Sequence, residues 1–205
     1  MQYLSEFEVL AQPIVPGAGI PPGGKVPFVA QGYFCLLSRL PDDDKGDVDV
    51  VLTFHPTPAF PASTGVLTTD PLIADFQDEN GTTQLNLDFT NSISVPVSSG
   101  KTVLFGLQPN IANVGIFAPA GQFGVRGYVT IDVVQKGQAR ETYELAAAPE
   151  IRASFFTIDP ANPVVDLDNT PDIAYCLPVR DGGRVTITKG KVAEKSSRRE
   201  TVAVG

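Results

Sequence analysis

The sequence predicts an all-β protein, an antiparallel β-sandwich or jelly roll of about ten strands. Three observations predict it. First, 18 prolines and 19 glycines in 205 residues lie between short apolar runs, and these residues stop helices and shape turns. Second, several runs alternate apolar and polar side chains with a period of two, as half-buried strands do. Third, helical character is confined to residues 141–150, where Pro149 limits it. Hydrophobic residues make up 42% of the chain, enough to build a core rather than a disordered coil. A domain this long buries roughly 70% of its unfolded surface and needs neither metal nor disulfide to fold.

Residues 1–30 read as an N-terminal arm, residues 31–188 as the sandwich domain and residues 189–205 as a flexible basic tail. In the arm, residues 12–27 hold five prolines and four glycines. That density excludes helix and disfavours a regular central strand, so this stretch is expected to cover an edge of its own sheet or lie on a neighbouring subunit. Residues 31–39 form a first strand. Residues 47–55 alternate, with Val48, Val50, Leu52 and Phe54 on one face and Asp49, Val51, Thr53 and His55 on the other. The pair reads as a hairpin with an acidic tip, ended by Pro56 and Pro58.

Residues 59–82 read as irregular, closing on the tight-turn pair Asn80-Gly81. A strand follows at 83–89, then a short edge segment at 93–97. Residues 101–146 read as a meander of four strands, at 101–107, 111–117, 123–133 and 140–146, because short links join antiparallel neighbours. In the third, Phe123, Val125, Val129, Ile131 and Val133 share one face with Gly127, which marks a bulge or a close backbone approach. Further strands are expected at 151–158, 173–179 and 184–188, with a turn at Asp181-Gly182-Gly183.

Residues 1–188 carry 10 basic and 21 acidic groups, net −11, while residues 189–205 carry net +3. An acidic body repels phosphate backbones and disfavours nucleic acid as its partner. The tail has the charge to touch an anionic surface. Glu6 and Glu8 stand where a secretion signal needs a cationic end and an apolar core. No apolar run nears the ~18 residues of a membrane span. The cytoplasm or an assembled particle is the expected location.

Common catalytic apparatus is missing from the pattern. His55 is the single histidine, is followed by Pro56, and has no G-x-S-x-G elbow to serve. Ser99-Gly100-Lys101-Thr102 resembles the end of a phosphate-binding loop, but Val95 stands where that loop needs glycine. Cys35 and Cys176 lie in apolar runs outside any C-x-x-C pair. They read as buried free thiols, with a disulfide between them as the alternative. A carboxylate pair leaves no fixed spacing, so a glycosidase is the least favoured of three readings. Asn80-Gly81-Thr82 matches a glycosylation acceptor but coincides with a turn.

Calcium is the one cofactor that the pattern suggests. Asp42, Asp44 and Asp47 cluster on one turn with Asp43 and Asp49. Asp166 and Asp168 cluster on another with Asn169 and Asp172. Hard cations take several loop oxygens, although neither cluster has the helix–loop–helix spacing, and a solvated acidic loop explains both.

The order Ile20-Pro21-Pro22, Phe28, Cys35-Leu36-Leu37, an acidic turn, an alternating strand and Val95-Pro96 resembles small β-sandwich proteins of the sensory-rhodopsin-transducer type. The likeness covers half the chain, the intervening lengths differ, and it carries over no function and no residue role. The leading expectation is a non-catalytic structural or assembly protein that works by self-association as a homo-oligomer, of capsid, shell, surface or scaffold type. The alternative is a module that binds glycan, peptide or calcium through its acidic loops.

Overall fold

The computed structural model describes residues 1–14, 25–41, 48–57, 72–85, 90–113, 116, 123–134, 141–158 and 171–189. Among them run eleven strands: β1 (Gln2–Pro13), β2 (Val26–Arg39), β3 (Val48–Pro56), β4 (Leu72–Gln77), β5 (Thr83–Leu85), β6 (Ser92–Val97), β7 (Thr102–Pro109), β8 (Phe123–Val134), β9 (Glu141–Ile158), β10 (Asp172–Cys176) and β11 (Arg184–Lys189). A 3-10 turn, Arg180–Gly183, leads into β11. Every pairing is antiparallel. No helix among the described residues is long and apolar enough to cross a membrane. The all-β expectation holds.

The sheet branches at β2. Along one edge, β2 pairs with β9 from Val26↔Ile158 to Arg39↔Leu145. Along the other, Phe28–Gln31 pair with β1, and Tyr33–Ser38 pair with β7. Gly32 stands at the fork, where a Cβ would lie 3.0 Å from the Gln108 Cβ and 3.1 Å from the Phe34 ring. One limb runs β2-β7-β4-β5, with β9 on the far side of β2 carrying β10 and β11. The other runs β1-β8-β3-β6.

The limbs curl toward each other. Tyr33 of β2 meets Phe54 of β3 edge-on at 5.6 Å, and Phe54 lies 5.7 Å from Phe105 of β7. Neither pair sits on hydrogen-bonded neighbours, so these rings meet across the core, at separations where aromatic pairs attract. Val50, Leu52, Ile131, Leu107 and Leu145 are each 0% exposed in the same cluster. A second, smaller core of Ala11, Val26, Phe28, Ile116, Phe156 and Ile158 covers the opposite face of β2 near its start.

Period-two patterns identified the buried faces of β3 and β8, while the strand expected at 83–89 is described only over Thr83–Leu85 and is exposed there. Val48, Val50, Leu52 and Phe54 are buried, as are Val125, Val129, Ile131 and Val133. The turn at Asn80 forms on the Asp78 carboxylate, whose Oδ1 accepts the Asn80 and Thr82 N–H groups, each at 2.9 Å.

The neighbours differ from expectation. Residues 31–39 and 47–55 make no hairpin, because β2 pairs with β1, β7 and β9 while β3 pairs with β6 and β8. The 101–146 meander is absent too. β7 and β9 border β2 on one limb, and β8 lies between β1 and β3 on the other. Alternation reports which face is buried and is silent about the partner. Asn110–Asn113 form a turn, with Asn113 N–H on the Asn110 carbonyl, where a strand over 111–117 was expected.

Within residues 1–30, Gln2–Pro13 is a strand in mid-sheet between β2 and β8, and β2 begins at Val26. The edge-covering stretch falls mostly on 15–24, outside the described residues. The irregular span 59–82 contains β4. The two strands expected at 140–146 and 151–158 are the single strand β9. The tail beyond Lys189 lies outside the described residues.

Candidate functional site

The five predicted calcium ligands, Asp42, Asp44, Asp47, Asp166 and Asp168, lie outside the described residues. Two flanking carboxylates are described. Asp49 stands on β3 opposite Pro96 and Val134, and Asp172 opens β10 opposite Ser154. Among the described residues no three His, Cys, Asp or Glu side chains gather as metal ligands.

His55 occupies the outer face of β3. Its Nε2 lies 2.9 Å from the Thr130 hydroxyl, and its ring stacks on Tyr128 at 4.5 Å. Among its partners in the described residues no carboxylate completes a triad. Both cysteines are free. Cys35 is buried, as read, and burial pushes its thiol up to about 12. Cys176 is exposed, which corrects the expectation of two buried thiols. The apolar run Ala174-Tyr175-Cys176-Leu177 belongs to an edge strand that no second layer covers among the described residues.

The outer face of β2 and β9 holds a cleft of about 380 Å³, bordered by Phe34, Gln108, Ile111, Arg152, Asp172 and Ala174. The Phe34 ring lies over Gly32 and Gly106 because neither glycine has a Cβ to displace it. The Arg152 guanidinium sits 4.6 Å above that ring and pairs with Glu150 at 2.5 Å. On β4 opposite Gly106, burial raises the Asp75 carboxyl above its ordinary value. Its Oδ1 would lie 2.6 Å from a Cβ at position 106. Among the described residues this arrangement presents an aromatic ring and a guanidinium, with Ser154 and Asp172 on its border.

The cleft ends at β10. All five residues of β10 are exposed, with Ile173 and Tyr175 each at 48%. The opposite end of this limb, β5, is likewise exposed throughout, with Leu85 at 62%. By contrast β6, the last strand of the other limb, buries alternate residues in the usual way. Among the described residues β10 has β9 on one edge and nothing on the other.

The orientation of the free edge follows from two hydrogen bonds. Leu177 N–H donates to the Pro149 carbonyl, and Phe155 N–H to the Pro171 carbonyl. Odd-numbered residues of this segment therefore face β9. Alternation along the strand turns the N–H and C=O of Asp172, Ala174 and Cys176 outward. Sequence reading placed a strand here but missed its exposure, since an apolar run looks the same whether a layer covers it or not. No family model matches the chain, and no curated protein matches it.

Proposed function

We propose that this protein is a non-catalytic assembly subunit, a two-layered β-sandwich that works by pairing with copies of itself. One observation carries the reading: β10 presents an apolar edge strand, exposed on both faces, with its outward backbone groups unpaired among the described residues. Edges of this kind template pairing with another chain, and monomeric proteins blunt them with charge, proline or a covering loop. The segment Ile173-Ala174-Tyr175-Cys176 has no charge and no proline.

The occupant that fits is a second β10, antiparallel, with Ala174 opposite Ala174 across a twofold axis. This register sets Ile173 against Tyr175, an aromatic–β-branched cross-strand pair. It also sets Asp172 against Cys176, keeping the two Asp172 carboxylates at opposite ends. A parallel pairing would stack them. Such an interface is isologous and closed, and β5 leaves a second open edge for growth beyond a dimer.

Light scattering on the purified chain tests the reading, with a dimer or larger species expected at micromolar concentration. Ala174→Pro removes one outward N–H and spares the β9 ladder, so it is expected to give a folded monomer. A wild-type chain that stays strictly monomeric at high concentration would sink the proposal. So would an Ala174→Pro chain that assembles as before.

A further inference from the structure

A second surface lies away from β10's free edge, on the outer face of β1, β8 and β3. Tyr3 and Tyr128 are 42% and 40% exposed there, with ring centroids 6.3 Å apart. Tyr128 is backed by His55 in a near-parallel stack. The shallow depression beside them measures about 580 Å³ and is lined by Tyr3, Glu6, Glu8, Arg126 and Tyr128 among others. Arg126 pairs with Glu8 at 2.8 Å, and Gln31 Nε2 donates to the other Glu8 oxygen at 3.2 Å. Glu6 has no ion pair among the described residues.

Both carboxylates look onto phenol rings. Burial first and the Glu6 charge second raise the Tyr3 phenol, and burial followed by Glu8 does the same for Tyr175. Of the five tyrosines, Tyr33 and Tyr143 are core residues. Tyr3 and Tyr128 line this acidic face. Open tyrosine rings beside carboxylates suit a cation, which gains the ring quadrupole and the ion pair together.

The chain carries such a cation source close by. β11 ends at Lys189, and residues 190–205 follow with Lys191, Lys195, Arg198 and Arg199 against Glu194 and Glu200. Gln2 Nε2 donates to the Thr186 carbonyl at 2.5 Å, so β11 passes beside the start of β1. From Thr186 to Lys189 is about 10 Å of strand, and residues 190–205 reach at most roughly 55 Å further. Tyr3 to Glu8 spans about 17 Å along β1. Arg198 lies nine residues beyond Lys189, at most roughly 31 Å of chain, which is enough to reach the acidic face. A tether of this length supplies an effective concentration near millimolar, enough for contacts that would be too weak between separate molecules.

We propose that residues 190–205 dock on the Tyr3–Glu6–Glu8–Tyr128 face of their own chain, with Arg198 and Arg199 against Glu6, Glu8 and the Tyr3 ring. The inference is independent of pairing at β10. It is tested on the full chain with a nitroxide at Ser197→Cys in a Cys176→Ser background, Cys35 being buried and unreactive. Amide relaxation is expected to rise most over Tyr3–Glu8 and Arg126–Tyr128. The effect should fall several-fold in about 0.5 M salt, where the screening length drops to roughly 4 Å. It should vanish when Arg198 and Arg199 are both changed to alanine, and fall at least several-fold in the Glu6→Gln, Tyr3→Ala chain. Enhancement that is uniform, absent or centred elsewhere would overturn the proposal. So would enhancement appearing only when spin-labelled chains are mixed with isotope-labelled ones, since the tail would then sit on a neighbour.

Discussion

Gly127 shows how one missing methyl sets the distance between two strands. It pairs with Pro56 on β3 and Phe7 on β1, and a Cβ there would collide with the His55 carbonyl oxygen and crowd the Phe7 ring. Backbone cannot rotate aside as a side chain can, so Gly127→Ala is expected to destabilise by about 3 kcal/mol, the upper end of ordinary overpacking. A lower urea midpoint at unchanged slope would show it. That glycine was legible in the sequence, because period-two spacing put it on the apolar face between Val125 and Val129. What it approaches was not legible, since His55 lies 72 positions earlier and nothing local encodes the meeting.

Asp75 makes a pH argument at the same scale. Its carboxyl is half-buried and raised above the ordinary value by desolvation, against a smaller lowering by its own backbone N–H. The folded state thus holds this proton more tightly than the unfolded state. Stability from this group is then greatest below the unfolded value, about 3.9, and declines as pH rises through the folded value. Asp75→Asn is expected to raise the melting temperature at neutral pH and to have a smaller effect, or none, near pH 3.5. An equal shift at both pH values would contradict the assignment.

At the scale of the element, β9 is the informative case. Its first part pairs with β11, from Glu141↔Lys189 to Ala146↔Arg184, and its later part with β10, from Glu150↔Cys176 to Ser154↔Asp172. Pro149 falls in the gap between these partners. Because its carbonyl takes the Leu177 N–H, its nitrogen also faces outward, and the ladder to β2 loses no donor. Proline is tolerated where that donor is unused. One residue earlier the geometry reverses and the Ala148 nitrogen faces β2. Ala148→Pro is therefore expected to cost about 3 kcal/mol or more, and Pro149→Ala less than about 1 kcal/mol. Paired chemical-denaturation curves would decide between them. Similar losses at both positions would mean that the nitrogen directions are wrong. Sequence reading split β9 in two because Ala146-Ala147-Ala148-Pro149 lacks the β-branched residues that mark strands, and a strand buried through its partners does not need them.

For the whole molecule, composition and periodicity were sufficient for the class and for most buried faces, but not for the path of the chain. Consecutive strands β7, β8 and β9 alternate between the two limbs, and a short link between strands looks alike whether it returns to the same sheet or crosses the core. The candidate surfaces were even less legible. The sequence singled out acidic loops by charge, whereas exposure drew attention to β10 and to the tyrosine face, and exposure depends on which strands end a limb. Charge did leave one usable sign in the contrast between an acidic body and a basic tail.

The place of β1 in mid-sheet bears on how the protein is made. A ribosome delivers Gln2–Pro13 more than a hundred residues before its partner, since β1 pairs with β8 from Gln2↔Ile131 to Ala11↔Phe123. Until β8 emerges, the nascent chain must carry Phe7, Val9 and Leu10 with one flank unclaimed. Its neighbour β2 is in turn incomplete until β9 arrives. Closure of the sheet is thus deferred until β8 and β9 have been made. During that interval those apolar residues stand open to a wrong partner.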